Sequence, residues 1–150
     1  MVAAKTFYEL NNLELYQILR LRSEVFVVEQ DCVYQDLDNK DQISVHIFQK
    51  EKDEIVAYTR IFKSGDYYKN PSIGRVVVSK RKRGKELGKQ IMIYSIDYIK
   101  KNLKGDKIEL SAQKYLDKFY KDLGFYKTGE EYLEDGIPHQ RMLIDLIWKY

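Results

Sequence analysis

Residues 73–88, Ile-Gly-Arg-Val-Val-Val-Ser-Lys-Arg-Lys-Arg-Gly-Lys-Glu-Leu-Gly, run from an apolar strand pattern through a basic, glycine-containing turn into a long helical pattern. A helix leaves its first N–H groups without intrahelical partners, and its dipole puts positive potential at the same end. With the cations of the turn added, such a unit is an anion site suited to phosphate. The strand before it is short, so whatever the phosphates carry must lie along it. The ligand this predicts is a phosphate-bearing carrier rather than a bare anion.

Two familiar phosphate motifs are excluded by spacing. Gly84 and Gly88 enclose three residues where a Walker A loop needs four, and Gln90 follows Lys89 where that loop needs Ser or Thr. No G-x-G-x-x-G occurs. What remains is R-x-x-G-x-G over Arg83-Gly84-Lys85-Glu86-Leu87-Gly88, with Glu86 where the middle glycine belongs. An acid suits a first helical turn but repels a bound anion. At a wet site and a separation of about 6–8 Å, that repulsion costs under about 1 kcal/mol. Arg81, Lys82, Arg83, Lys85 and Lys89 outnumber Glu86, so binding is expected to survive. A basic run alone also reads as a solvated turn; the strand before it and the helix start after it favour a ligand.

The remaining pattern is mixed. A short strand is predicted over 5–8, then a helix capped by Asn11 or Asn12 with Leu15, Ile18, Leu19, Arg22 and Phe26 at helical spacing. A polar loop follows from Val27 to Asp41. Strands are predicted over 45–49 and 55–62, turning at Lys52-Asp53-Glu54, and over 73–78 after a turn at 64–70. A helix over 85–101 carries a wide apolar face (Leu87, Ile91, Met92, Tyr94, Ile96, Tyr98 and Ile99), as packing on a sheet requires. A strand over 107–111, a helix over 115–123 ended by Gly124, and a final antiparallel pair over 126–132 and 141–147 complete the chain. Hairpins combined with a strand–loop–helix unit predict an α+β fold with a mixed sheet.

Size and composition bound the function. The 150 residues fit one domain, expected to span 1–150 and to bury about two thirds of its unfolded surface. A net charge of +3 is too small to imply nucleic-acid binding. The single cysteine, Cys32, excludes an intramolecular disulfide and suits a reducing cytoplasm. With two histidines, His46 and His139, far apart and no C-x-x-C, no metal site is expected. No signal peptide and no membrane-spanning run is apparent.

With the Val-Val-Ser before it, the basic turn resembles the acetyl-coenzyme A pyrophosphate loop of the GNAT N-acetyltransferases. Residues 21–30 (Leu-Arg-Ser-Glu-Val-Phe-Val-Val-Glu-Gln), Tyr34-Gln35-Asp36-Leu37-Asp38 and Asp41 are similar to the N-terminal signature of the ElaA-like branch of that family. Leu110-Ser111-Ala112-Gln113, residues 119–125 and residues 132–139 resemble its C-terminal signatures. The resemblance covers roughly residues 15–143. It implies the GNAT fold, a mixed and mostly antiparallel central sheet flanked by helices. It also implies an acyltransferase that uses acetyl-CoA and takes a small-molecule or peptide amine, with a homodimer among the assemblies the family forms.

Acetyl transfer to an amine needs a neutral nucleophile, and a lysine-like amine with a pKa of about 10.4 must first lose a proton. The departing thiolate, with a pKa of about 8.5, gains modestly from an acid. By the resemblance, the backbone of Val76, Val77 and Val78 binds the carrier arm and polarises the thioester carbonyl. Arg81, Arg83, Gly84, Lys85, Glu86, Leu87, Gly88 and Lys89 form the phosphate site. Tyr120, in the Phe119-Tyr120-x-x-Leu123-Gly124-Phe125 context, matches the tyrosine that protonates the departing sulfur. Glu109, His139 or a relaying water supplies the base. Arg22, Gln30, Asp38, Arg75, Ser111 and Gln113 are assigned to the acceptor pocket, with a buried ion pair of Arg22 or Arg75 with Asp38 as the alternative. Phe26, Tyr34 and Leu37 read as loop packing, His46 as structural, and Cys32 as a bystander, since direct attack makes no use of a thiol.

Three other readings stand beside this one. An acyltransferase using longer acyl carriers shares the Arg22-x-x-x-Phe26 and Asp38 pattern, though Trp148 is the chain's only tryptophan and lies far from that region. A non-catalytic CoA-binding regulatory module would explain Glu86. Nucleic-acid binding through Lys80 to Lys85 offers few phosphate contacts.

Overall fold

The computed structural model describes residues 1–146. Residues 147–150 lie outside the described residues, and with them the end of the strand expected over 141–147 and any packing of Trp148 against a second subunit. Strands β1 (Val2–Thr6), β2 (Val45–Glu51), β3 (Glu54–Phe62), β4 (Ser72–Val78), β5 (Lys107–Gln113), β6 (Tyr126–Glu134) and β7 (Ile137–Asp145) form one sheet, in the order β1-β2-β3-β4-β5-β7-β6. All neighbours are antiparallel except β4 and β5, so the expected mixed, mostly antiparallel sheet is present. Helices α1 (Asn12–Arg22), α2 (Leu87–Asn102) and α3 (Asp117–Asp122) flank it.

Local chemistry accounts for the element ends. Asn11 caps α1: its side chain accepts from Glu14 N–H at 2.7 Å, while Glu14 accepts from Asn11 N–H at 3.0 Å. The helix does not stop where the loop was expected. Ser23–Glu29 continues it with π geometry, Gln30 N–H reaching Val25 O and Cys32 N–H reaching Val27 O, both at 3.1 Å. Such stretches are rare and often mark functional sites. Strand β7 begins at Ile137, four residues before the expected 141, because Asp135 and Gly136 both take positive φ (50° and 76°) and close a two-residue hairpin. That Asp-Gly pair was a readable hairpin signal. The first strand starts earlier than expected and gives way to a 3-10 turn at Phe7–Glu9, and another 3-10 turn, Lys114–Leu116, precedes the short α3.

The two faces of the sheet carry separate cores. Ile91, Met92, Ile96 and Ile99 of α2 pack on Val56, Ile73, Ile108, Leu110 and Met142. Of the α2 face predicted from sequence, Tyr94 turns out to be exposed. On the opposite face, Ile18, Leu21 and Val25 cover Phe48, Tyr58 and Val77. Paired residues on neighbouring strands share a face. Phe62 with Ser72, and Arg60 with Gly74, therefore lie on the α1 side, as do Glu109, Ser111 and Gln113 of β5 with Leu143, Arg141 and His139 of β7.

The loop between the π stretch and β2 is held by charge. Arg22, fully buried, pairs with Asp36 at 2.9 Å and Asp41 at 2.8 Å. Arg60 binds Asp38 at 2.8 Å and Asp41 at 3.0 Å, and Arg75 reaches Asp36 at 2.8 Å and Asp38 at 3.5 Å. Three guanidinium groups and three carboxylates thus cancel in one cluster on the α1 side of the sheet. His46 is part of the same interior, bonded to Tyr58 OH at 2.6 Å and to Asp41 O at 2.8 Å, and is structural as expected.

Removing one member of such a buried network leaves an uncompensated charge. Asp41→Ala is expected to lose about 3–5 kcal/mol, read as a fall in the urea midpoint. For Asp38 and Asp41, burial pushes the carboxyl pKa up, but hydrogen bonds and charge from Arg60, joined by Arg22 at Asp41, outweigh it and hold both below the ordinary range. A carboxylate depressed on folding stabilises above its unfolded pKa of about 3.9, and that contribution is lost as pH falls through the folded value. Acid unfolding followed by circular dichroism should therefore begin below about pH 4 and be less steep in Asp41→Ala.

Candidate active site

Strands β4 and β5 pair only at Ser72 and Glu109, where Glu109 N–H also bonds Pro71 O at 2.9 Å. Beyond that point they diverge. The cause is visible in β4: Tyr58 faces Val77 and Arg60 faces Gly74, so Arg75 and Val76 both oppose Thr59. Arg75 holds φ at 47°, and the resulting bulge bends the strand. The opening is a cleft of about 820 Å³ that runs from the glycine turn, along β4, through the sheet to its α1 side. Val76, Val77 and Val78 line it, and their backbone groups on the β5 side are left without a strand partner.

The turn behaves as its composition predicts, with two exceptions. Gly84 sits at φ 81° and Glu86 at φ 62°, ψ 17°, the left-handed region that costs a side-chain-bearing residue roughly 1–2 kcal/mol. The glycine missing from the motif is thus missing where backbone geometry asks for one. The first helical bond of α2 runs from Gln90 N–H to Glu86 O at 3.0 Å, which leaves the N–H groups of Leu87, Gly88 and Lys89 for a ligand. These residues line the cleft with Lys82, Arg83, Gly84 and Glu86. Arg81 does not: it pairs with Glu54 on the β2–β3 hairpin, and Lys85 also lies outside the lining. Arg83 donates to Val78 O at 3.2 Å and to Glu29 at 3.0 Å, tying the turn to the π stretch. Orphan amides, an unpaired strand edge and Lys82, Arg83 and Lys89 together fit a phosphate-ended carrier such as coenzyme A.

The three residues assigned to proton transfer part company. Tyr120 lines the cleft from α3, packed edge-on against Phe119 and Phe125. Burial pushes its hydroxyl pKa well up, which keeps the proton on oxygen. His139 also lines the cleft: Nδ1 donates to Ile137 O at 2.7 Å, so Nε2, 3.3 Å from Glu134, is the nitrogen that can take a proton. Glu109 is set apart. Its oxygens accept from Arg141 at 2.5 Å and Asn70 at 3.1 Å, and it does not line the cleft.

The acceptor residues divide in the same way. Gln30, Arg75, Ser111 and Gln113 meet in the cleft, Gln113 donating to Gln30 at 3.4 Å and Ser111 bonded to Tyr132 OH. Arg22 and Asp38 belong instead to the buried network, and neither lines the cleft; Arg22 pairs with Asp36 and Asp41 rather than with Asp38. Phe26 and Tyr34, read as loop packing, line the cleft, as do Tyr67, Tyr68, Cys32 and Glu134, which sequence reasoning did not place there. Tyr67-Tyr68 had a signal, since two aromatic residues inside a turn have no core to fill. Glu134 had none: it is one of many acids, and only the hairpin register sets it beside His139.

Comparison with known proteins agrees with this geometry. Residues 6–146 match the family described as the acetyltransferase (GNAT) domain. The chain is 43% identical over 141 residues to protein ElaA of Escherichia coli K12, covering 93% of this chain and 92% of that one. The crystal structure of Escherichia coli ElaA superposes with a TM-score of 0.90 at 39% identity, over 97% of this chain and 99% of that one. An acyl-CoA N-acyltransferase from Pseudomonas aeruginosa does so with a TM-score of 0.90 at 36% identity, over 96% and 99% of the two chains. A split parallel strand pair beside a helix start with free amides, matched along nearly the whole chain, places this protein in the GNAT acetyltransferase family, as an ElaA-like acyltransferase.

Proposed function

We propose that the protein transfers an acetyl group from acetyl-CoA to a primary amine, which attacks directly while both substrates are bound. The observation that carries this reading is the continuity of one cleft from the orphan amides of Leu87–Lys89, along the bare edge of β4, to a polar mouth on the α1 side. Coenzyme A would be held by those amides with Lys82, Arg83 and Lys89, and along Val76–Val78; when bound, it supplies the activated acyl thioester.

The chain's own groups manage the protons. His139 keeps a proton on Nδ1 through Ile137 O, so Nε2 takes the proton the amine must lose, and Glu134 pairs with the imidazolium that results. Tyr120, held protonated, offers its hydroxyl to the departing sulfur. The backbone N–H groups of β4 at the bulge are donors to a carbonyl oxygen in the cleft. Most of the rate comes from holding amine and thioester together in the bent gap. The reading places the reaction in the cytoplasm, where Cys32 stays a thiol. Among the described residues no helix is long and apolar enough to cross a membrane.

Isothermal titration with acetyl-CoA tests the phosphate site. Micromolar binding is expected, and Glu86→Gly should tighten it by about two- to fivefold by removing a nearby negative charge. Relief of the left-handed side chain should also stabilise the free protein by about 1 kcal/mol. Absence of binding in both forms would remove the cofactor reading; binding without turnover on any amine would leave a regulatory CoA-binding module.

For catalysis, His139→Gln is expected to lower kcat/KM about 10²- to 10⁴-fold with acetyl-CoA affinity unchanged. Tyr120→Phe should lower kcat without an equal rise in KM, uniformly between about pH 6 and 9, because burial keeps that hydroxyl protonated throughout. Full turnover in Tyr120→Phe across that range would end its role as acid.

A further inference from the structure

Strand β6 pairs only with β7, and seven of its nine residues are exposed; Thr128 and Tyr132 are the two that are not. Thr128 stands opposite Arg141 and Tyr132 opposite His139, so a step of four residues on β6 is matched by a step of two on β7. The ladder is irregular there, and Gly129 within it holds φ at 74°. Because the surplus is even, Tyr132 stays on the α1 side and is moved two positions along. In an unbroken ladder Glu130 would face His139 instead. Irregularities of this kind re-aim side chains beside active sites.

The side chain of Tyr132 then reaches across β7. Its hydroxyl bonds Ser111 of β5, which lies opposite Arg141 rather than opposite His139. Its ring stacks on the His139 imidazole, with centroids 6.2 Å apart and planes 23° from parallel, and lies 5.9 Å from the Arg141 guanidinium. Arg141 is itself fixed by Glu109 at 2.5 Å and sits 4.2 Å over the Tyr68 ring. Ser111 and His139 line the cleft, and Tyr132 does not. One side chain behind the wall thus touches two groups in it.

His139 needs such a support. Its Nδ1 has one bond, to Ile137 O at 2.7 Å, and Glu134, beside Nε2, is 47% exposed. A ring held by one hydrogen bond can rotate away from it, and the preference for a proton on Nδ1 goes with it. An offset aromatic neighbour opposes that rotation. Resting on the reading of His139 as the base, we infer that Tyr132 is its positioning residue. The ring of Tyr132 holds the imidazole with Nε2 as the proton acceptor, and the hydroxyl sets Ser111 beside it. An amine in the cleft then meets a base for the N–H it loses and a hydroxyl oxygen for an N–H it keeps.

Nitrogen-15 NMR of the imidazoles tests this without any ligand, because the chain has two histidines and they carry opposite tautomers. His46 donates from Nε2 to Asp41 O and accepts at Nδ1 from Tyr58 OH, whereas His139 donates from Nδ1. At about pH 9, above the ordinary imidazole range, the parent should favour Nδ1–H at His139 about tenfold or more. Tyr132→Leu should bring that ratio to within about threefold, as should Tyr132→Met, which fills more of the space. Tyr132→Phe retains the ring and should retain the ratio. His46 should be unchanged in all three variants, which reports an intact interior. No tautomer preference in the parent, the parent ratio in both Tyr132→Leu and Tyr132→Met, or an equal disturbance in Tyr132→Phe would each overturn the inference. Loss of the His46 signals in both Tyr132→Leu and Tyr132→Met would overturn it too, by making Tyr132 a residue on which folding itself depends. No amine or cofactor enters the measurement, so it is separate from the activity beneath it. Full turnover of an amine by His139→Gln would end the reading of His139 as base and leave the tautomer result standing.

Discussion

Strand β4 is bonded to β5 at one residue pair, and everything the molecule offers a ligand follows from that incomplete pairing. A parallel pair zipped along its length would bury its backbone groups in ladder bonds and close the sheet. Instead, two residues of β4 oppose one of β3, the strand bends at Arg75, and its edge is left bare toward the cleft. Unpaired amides and carbonyls are costly when buried and useful when a ligand can reach them. The left-handed φ of Arg75 is tolerable because its guanidinium is tied to Asp36 and Asp38. Backbone bend and side-chain anchor are parts of one device.

That device depends on the Arg–Asp cluster behind it. Arg22 comes from α1, Arg60 from β3 and Arg75 from β4, and all three converge on a loop whose Asp36, Asp38 and Asp41 would otherwise be solvated. Desolvating six charges is expensive, and their mutual attraction repays it only in good geometry. The return is positional: the cluster seats the loop that presents Tyr34 to the cleft. The α2 side, by contrast, is an ordinary apolar core with a Thr59–Ser95 bond of 2.7 Å inside it. Both faces thus bury apolar side chains, but only the α1 side adds a buried charge cluster beside the cleft.

The turn after β4 shows a local compromise. Arg81 and Lys82 anchor it to acids of the β2–β3 hairpin, and Arg83 anchors it to Glu29. A turn with so many like charges would repel itself if all of them pointed at one place. Distributing them among carboxylates on two sides holds the loop in shape and leaves the amides of α2 open to the cleft. Glu86 fits the same pattern: it adds back negative charge to a crowded basic turn while accepting a strained backbone.

Much of this was legible in one dimension. Apolar periodicity and capping chemistry determined the elements: Asn11 with Glu14 marks the start of α1, and Gly84 with the basic run marks the phosphate turn, because caps and dipoles act within a few residues of the chain. The motif order that identified the family is local in the same sense. What the linear pattern left open was every question about direction. Arg81 and Arg83 look alike in sequence, yet one turns to Glu54 and the other to the cleft mouth. Arg22 and Asp38 sit in a signature shared with relatives, yet they serve the interior. Glu109 and Ser111 share one face of the same strand, yet Arg141 and Asn70 occupy the first while the second reaches the cleft. Such choices are made by partners about fourteen to eighty residues away in the chain, brought close only when the chain folds. The sequence alone therefore determined the fold and the basic glycine turn that opens α2, whose causes are short-range. Only the tertiary structure decided which charged and aromatic side chains face the ligand, because a charge is assigned its role by whatever folding places beside it.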